Sequence, residues 1–351
     1  MNILVIGPSW VGDMMMSHSL YQCLKQQYPD CQIDVLAPNW CKPLLERMPE
    51  VRGALTMPIG HGTFGLKQRY EIGKSLRNQY DMAIVLPNSL KSAFIPVFAK
   101  IARRRGWKGE SRYLFLNDLR ANKNDYPMMV QRYVALTYEK NAVPTAAQMT
   151  FPYPYLQVSS QQIEQTKNHF HAQLAQAENR PAIGFCPGAE FGPAKRWPHY
   201  HYAALAQMLI EKGYSIRLFG SAKDEQVGDE IRASLPENLQ PYCLNLAGQT
   251  SLNQAVDLIA DCQGVVTNDS GLMHVAAAVQ RPLVALYGPT SPQYTPPLSH
   301  HAVIIRLQKG GLEKIRHGKD SAEGYHQSLI DITPAMVMEK LSEILPHFDL
   351  A

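Results

Sequence analysis

The first feature with chemical potential is a carboxylate at the end of a glycine-bearing loop, Gly7-Pro8-Ser9-Trp10-Val11-Gly12-Asp13-Met14-Met15-Met16-Ser17. Two familiar phosphate motifs fail here. The dinucleotide fingerprint G-x-G-x-x-G is broken by Pro8-Ser9. Gly7 and Gly12 have the separation of a P-loop, but Asp13 stands where that loop needs its phosphate-gripping lysine. What remains is an aspartate in the first turn of a helix, where the helix dipole favours the ionised form by about 0.3–1 kcal/mol. Asp13 is therefore either a proton acceptor, with Trp10 shaping the approach, or a helix cap. Met14-Met15-Met16 reads as core packing.

Three loops in the second half carry complementary chemistry. In Cys186-Pro187-Gly188-Ala189-Glu190-Phe191-Gly192-Pro193-Ala194-Lys195-Arg196-Trp197-Pro198, the small residues at 188, 189 and 192 allow close approach of backbone N–H groups to a ligand. Lys195 and Arg196 add positive charge suited to a phosphate; Arg196 alone is equally explained by a carboxylate partner. Phe219-Gly220-Ser221-Ala222-Lys223-Asp224 is a second strand-to-helix turn, fit for hydroxyls or phosphate. In Val265-Val266-Thr267-Asn268-Asp269-Ser270-Gly271-Leu272-Met273-His274, a buried strand enters a helix whose first N–H groups make a diphosphate seat. Asp269 would repel that diphosphate, so it either meets sugar hydroxyls or caps the helix. His274 lies a turn further along, in reach of an anion.

The elements that must position these loops alternate as short apolar strands and helices. Strands are expected at 2–7, 32–37, 54–57 and 81–86, with helices at 13–27 and 65–78. The second half repeats the scheme, with strands at 182–186, 215–219, 264–267 and 282–286 and helices near 200–212, 222–234, 252–261 and 271–279. The proline-bearing stretch 141–181 reads as a linker. The class is α/β: two Rossmann-like domains with parallel sheets facing a central cleft, ligands lying at the carboxyl ends of the strands. Residues 1–165 and 166–333 form the domains. A helix in 334–351 is expected to pack on one of the two domains, with a return to the first as one alternative.

A chain of 351 residues is long enough for two domains at about 150 residues each. With 45% hydrophobic and 18% charged residues, there is material for packed cores and no case for disorder. No apolar run approaches the roughly 18 residues of a membrane span. The first residues lack a secretory leader, so a cytoplasmic location is expected. Six cysteines without a C-x-x-C pair read as reduced, packed thiols. His199-Tyr200-His201, with no acidic or thiol ligand nearby, reads as helix entry rather than a metal pair. The net charge of +4 hides an asymmetry: residues 1–175 hold 20 Lys+Arg against 12 Asp+Glu, and the rest hold 14 against 18. A basic first half favours an anionic partner such as a phosphorylated sugar, a lipid surface or nucleic acid. Its densest patch is Arg103-Arg104-Arg105 with Trp107 and Lys108.

Taken together, Gly7–Asp13, the Pro187–Pro198 loop, Asn268–His274 and Tyr287-Gly288-Pro289-Thr290-Ser291-Pro292 resemble the ADP-heptose:lipopolysaccharide heptosyltransferases of glycosyltransferase family 9. The resemblance runs in order along nearly the whole chain and is nearest to the type that adds the second heptose. It implies a GT-B fold and inverting transfer of L-glycero-D-manno-heptose from ADP-heptose to the first heptose of the lipopolysaccharide inner core. It implies Asp13 as general base, with Lys195 as a second catalytic group that also holds the donor. The donor set that follows is Ser9, Gly12, Gly188, Ala189, Lys195, Gly220, Ser221, Asp224, Asp269, Ser270, Gly271 and His274. The acceptor set is Trp10, Asn88, Lys91 and Arg105. No metal or other cofactor is expected, because Lys195 and a helix N-terminus can balance a leaving diphosphate and no D-x-D pair is evident. The implied partner is an anionic glycolipid, with transient contact at the inner face of the inner membrane, and not nucleic acid. A type I enzyme or a transferase using another nucleotide-sugar would share this framework. A non-catalytic glycolipid-binding protein would not need Asp13. A nicotinamide-dependent oxidoreductase is disfavoured by the missing fingerprint.

Overall fold

The computed structural model describes residues 1–60, 62–190, 192–307 and 320–345. The chain divides into two compact units, Met1–Gln157 with Gln293–Thr295, and Val158–Pro292 with Pro296–Ala351. The first is built on a parallel six-stranded sheet of order β3-β2-β1-β4-β5-β6. Its strands are β1 (Asn2–Ile6), β2 (Gln32–Ala37), β3 (Val51–Thr56), β4 (Met82–Val85), β5 (Arg103–Trp107) and β6 (Asp118–Arg120). The second unit has a parallel sheet of order β12-β11-β10-β7-β8-β9. Its strands are β7 (Ala182–Cys186), β8 (Ser215–Leu218), β9 (Cys243–Asn245), β10 (Gly264–Asn268), β11 (Leu283–Leu286) and β12 (Ala302–Ile305). In β1, β4, β7, β10 and β11 nearly every side chain is buried, because helices cover both faces of a parallel sheet.

Strand order reverses between β1 and β4 in one unit and between β7 and β10 in the other. At such a reversal the connections leave the sheet in opposite directions, opening a crevice at the carboxyl edge. Helix α1 (Val11–Gln27) follows β1 directly and buries Met14, Met15 and Met16 against the core, as their reading as packing residues anticipates. Halfway along it, His18 is fully buried. Its Nε2 lies 2.6 Å from a Glu50 carboxylate oxygen, and its Nδ1 accepts the Tyr155 N–H at 3.1 Å.

The arginine run is corrected by the structure. Residues 103–107 are strand β5, not a solvated anion-binding patch. Arg105, assigned above to the acceptor, is 1% exposed. Its guanidinium donates to Asp118 Oδ2 at 2.7 Å, to the Leu136 and Thr137 carbonyls, and to Glu139 at 3.1 Å. Arg103 pairs with the same Asp118 and Glu139, and Arg104 donates to the Ile101 and Phe115 carbonyls. Trp107 is buried as well, leaving Lys108 as the exposed member of the patch. The cations are used internally, because β6 brings Asp118 into register beside Arg105.

The second unit begins earlier than the expected 166. The helix Ser160–His169 belongs to it, tied down by a buried bond from Thr166 Oγ1 to Asp257 Oδ2 at 2.8 Å. The chain also returns to the first unit at 293–295. There the Met129 N–H donates to the Tyr294 carbonyl at 2.9 Å, and the Arg132 guanidinium stacks over the Tyr294 ring at 5.0 Å. The helix Pro334–Ile344 packs on the helix His199–Glu211 and on β11, within the second unit. All six cysteines are buried and unpaired. Among the described residues no helix is long and apolar enough to cross a membrane.

Asp118 is where this fold is most exposed to a single charge change. Burial pushes its carboxyl up, but hydrogen bonds from Arg120 and Arg105 and their charges outweigh that and hold it down at about 2. A carboxyl depressed in the folded state stabilises the fold above its unfolded value of about 3.9, and that contribution is lost as pH falls toward 2. Asp118→Ala would strand Arg105 and Arg120 as buried charges, with an expected loss of about 3–5 kcal/mol in urea unfolding at pH 7. The deficit relative to wild type should shrink as the pH is lowered through 4.

Candidate active site

In the first unit the chemistry gathers where β1 and β4 end. The chain leaves β1 through Gly7 and enters α1 at Val11, with Trp10 in the N-cap position. Among the described residues no side chain caps this helix, so Asp13 is not the cap that one reading allowed. The loop is held from outside: the Trp40 indole N–H donates to the Ser9 carbonyl at 2.9 Å. Trp10 is 52% exposed, as a residue must be to meet a ligand.

Asp13 is half-buried on the first turn, and burial raises its pKa above the usual aspartate value. Against that, the Tyr133 hydroxyl donates to Asp13 Oδ1 at 3.3 Å, which favours the carboxylate. Tyr133 is wholly buried on the short helix Met129–Val134. Burial, with the Asp13 charge added, pushes its own pKa far up, so it stays a donor. The pair therefore presents a carboxylate more basic than a solvated one, held in place by a fixed phenol. Nothing in the spacing of Asp13 and Tyr133 signals this contact.

Asn88 and Lys91, assigned to the acceptor, follow β4 on the neighbouring edge. The Asn88 carbonyl accepts the Glu110 N–H at 3.2 Å, and the Glu110 carboxylate in turn accepts the Leu90 N–H at 2.9 Å. Lys91 is half-buried in the turn Leu90–Ala93. These two positions and Asp13 thus share the carboxyl edge of adjacent strands, whereas Arg105 does not reach it.

In the second unit the loops after β7, β8 and β10 converge. Asn268, buried at the end of β10, is the tie between two of them. Its Nδ2 donates to the Pro187 carbonyl at 2.7 Å, while its Oδ1 accepts the Trp197 N–H at 3.0 Å and the Tyr202 hydroxyl at 3.2 Å. Gly192 sits at φ +125°, a conformation that only glycine adopts readily, and opens the turn Pro193–Lys195. That turn brings Lys195 Nζ to 2.7 Å from Asp269 Oδ2. Asp269 is thus bound to Lys195 and does not cap the following helix. Ser270 occupies the N-cap position of the helix Gly271–Ala278, without a side-chain cap bond among the described residues. Its first-turn N–H groups stand at the position where the sequence reading expects a diphosphate to be held. His274 is 6% exposed. Burial pushes its pKa down to about 4, with Asp269 opposing and Lys195 adding to the shift, so it is a neutral imidazole.

The turn after β8 is corrected. Ser221 and Asp224, assigned to the donor, spend their polar atoms on each other. Asp224 Oδ2 accepts the Ser221 N–H at 2.9 Å and its hydroxyl at 2.8 Å, in a reciprocal cap, and Oδ1 lies 3.4 Å from Arg196 Nη2. Asp224 therefore braces its own turn and the Arg196 side chain. Gly188 and Gly220 owe their size to the same carboxylate. A Cβ on Gly188 would lie 2.5 Å from the Asp224 carboxyl group, and one on Gly220 2.7 Å from its Cβ. Ala189 is buried in the same bend. The turn gives Arg196 its carboxylate partner, the simpler of the two readings offered for it. His199 and His201 begin a helix as anticipated, bonded to Tyr325 and the Ile330 carbonyl.

Two α/β units on parallel six-stranded sheets, one carrying a half-buried carboxylate and the other a lysine beside an open helix N-terminus, have the construction of the GT-B glycosyltransferases. The chain belongs to glycosyltransferase family 9 (heptosyltransferase), whose model matches residues 69–326. It is 72% identical over 345 residues to the lipooligosaccharide heptosyltransferase 2 of Haemophilus influenzae, covering 98% of this chain and 99% of that one. It is 59% identical over 349 residues to the lipopolysaccharide heptosyltransferase 2 of Escherichia coli K12, with the same coverage. The solved structure of E. coli ADP-heptose LPS heptosyltransferase II superposes with a TM-score of 0.87 at 57% identity, covering 98% of each chain.

The Asp224 cradle makes a direct prediction. Gly188→Ala should destabilise the protein by about 1–3 kcal/mol in urea unfolding, since a methyl group cannot share space with a braced carboxylate. A change under about 0.5 kcal/mol, the usual scale of neutral surface substitutions, would mean that Asp224 moves freely.

Proposed function

We propose that this chain transfers L-glycero-D-manno-heptose from ADP-heptose to the first heptose of the lipopolysaccharide inner core, the activity named for its 59–72% identical relatives. The observation that carries the mechanism is Asp13: a half-buried carboxylate of raised pKa, at the carboxyl edge of the first sheet where the strand order reverses. In this reading Asp13 takes the proton of the attacking acceptor hydroxyl. The freed oxygen forms its bond to the anomeric carbon as the bond from that carbon to the diphosphate oxygen breaks. Attack comes from the face opposite the leaving group, so configuration inverts. The electron pair leaves with ADP. Lys195 and the N–H groups opening the helix Gly271–Ala278 receive the developing charge, and the step calls for no metal.

Asp269, bonded to Lys195, fixes the ammonium in position and offers its remaining acceptor capacity to sugar hydroxyls. His274, being neutral, contributes an N–H donor and no charge. In this reading Gly188, Ala189, Gly220, Ser270 and Gly271 serve the donor from the second unit through backbone and small side chains, with Ser221 and Asp224 bracing their turn, and Ser9 and Gly12 are assigned to the donor from the first. Trp10, Asn88 and Lys91 face the acceptor. That acceptor is an anionic glycolipid anchored in a bilayer, so the enzyme works in transient contact with the cytoplasmic face of the inner membrane.

The test is transfer itself, read by mass spectrometry. Wild type and Asp13→Asn are each given ADP-heptose with acceptors carrying no heptose or one. The reading predicts one added heptose on the one-heptose acceptor only, slowed on the order of 10²–10⁴-fold in the variant. Addition to the heptose-free acceptor would instead make this a type I enzyme. An unimpaired Asp13→Asn protein would remove Asp13 from the chemistry.

A further inference from the structure

Among the large apolar side chains that the first unit exposes, four lie in two segments, 64–66 and 113–114, that are joined through one buried ring. Leu114 is 90% exposed, Tyr113 57%, Phe64 51% and Leu66 47%. The two segments meet at Phe94, whose ring takes Phe64 edge-on at 5.6 Å and Phe115, the residue after Leu114, edge-on at 4.9 Å. The loop that offers Phe64 is built rather than loose, since the buried Arg69 side chain donates to the Phe64 carbonyl at 2.7 Å and to that of Thr63 at 3.3 Å.

Exposed lysines accompany these tips. Lys67 follows Leu66, and the Lys108 ammonium lies 5.7 Å above the Tyr113 ring. Aromatic and leucine side chains interleaved with lysine suit the boundary of an anionic bilayer, where apolar tips enter the acyl region and ammonium groups meet headgroups. The patch also continues into the acceptor loop. Arg112, next to Tyr113, donates to the Pro87 carbonyl, and Glu110 brackets Asn88 and Leu90 on both sides. A glycolipid whose sugars reach Asn88 and Lys91 has its acyl anchor in a surface that this patch can meet.

We propose that Phe64, Leu66, Tyr113 and Leu114, with Lys67 and Lys108, form a docking face for an anionic lipid surface, set beside the acceptor loop. This rests on the glycolipid-acceptor reading given above. None of the substituted side chains belongs to the catalytic or sugar-binding set.

The experiment compares the full chain with its Leu114→Glu/Lys67→Glu variant. Co-sedimentation uses vesicles of phosphatidylethanolamine with phosphatidylglycerol, and vesicles of phosphatidylcholine alone. The wild type should prefer the anionic vesicles, and the variant should lose at least about tenfold in affinity for them. Heptose transfer should fall in the variant when the acceptor is embedded in vesicles and stay unchanged on an acceptor stripped of acyl chains. Equal vesicle binding by the two proteins would overturn the docking face, as would a wild type that ignores anionic vesicles. So would a concentration-dependent dimer that the substitutions abolish, because the face would then belong to a second copy. Absence of transfer to the stripped acceptor by both proteins, with vesicle binding intact, would sink the catalytic reading and leave the docking result standing.

Discussion

Asp13 is subject to two opposing physical effects. Partial burial disfavours its charge, while a first-turn position on α1 and a hydrogen bond from Tyr133 favour it. The balance leaves a carboxylate more basic than a solvated one, which suits it to accept a hydroxyl proton in the proposed mechanism. Much of the first unit maintains it. The buried methionines seat α1 on the sheet, His18 clamps the helix to Glu50 and Tyr155, and the helix Met129–Val134 carries the phenol. The excursion of 293–295 holds that short helix through Tyr294.

The second unit solves a different problem: collecting positive potential without leaving a buried charge unmatched. Lys195 meets Asp269, Arg196 meets Asp224, and His274 resolves its burial by staying neutral. Asn268 uses one amide to tie the loop after β7 to the end of β10, so the lysine turn and the helix N-terminus are positioned together. The remaining polar capacity is in backbone N–H groups, which carry partial charge at little desolvation cost.

The sheets were legible because central strands are buried on both faces and read as apolar runs: 2–7, 81–86, 182–186 and 264–267 each contain or overlap a strand found. β5 was not, because Arg103-Arg104-Arg105 reads as a charged surface until Asp118 and Glu139 are known to lie against it. The short strands β6 and β9 carry too little apolar pattern to stand out, whereas β12, Ala302–Ile305, is wholly apolar and was missed for its brevity. The site loops were legible as punctuation at strand ends, with Asp13 and Lys195 the chemically distinctive residues in them. Tyr133 was not, since its partner is 120 positions away and no local spacing encodes the contact. Gly188 and Gly220 were noticed for a sound reason, small size, but the structure shows their space filled by Asp224 rather than reserved for a ligand alone.

In the proposed mechanism Asp13 is a base whose pKa is set by burial against the Tyr133 hydrogen bond. The most direct measurement of this is the pH dependence of kcat/KM for heptose transfer in wild type and in Tyr133→Phe. The wild type should show an acidic limb whose midpoint lies above the ordinary aspartate value of about 3.9. In Tyr133→Phe the contribution that lowers the pKa is gone, so the limb should move to higher pH while activity persists on its alkaline side. A limb at the same pH in both proteins, or one at or below the ordinary value in wild type, would contradict the mechanism.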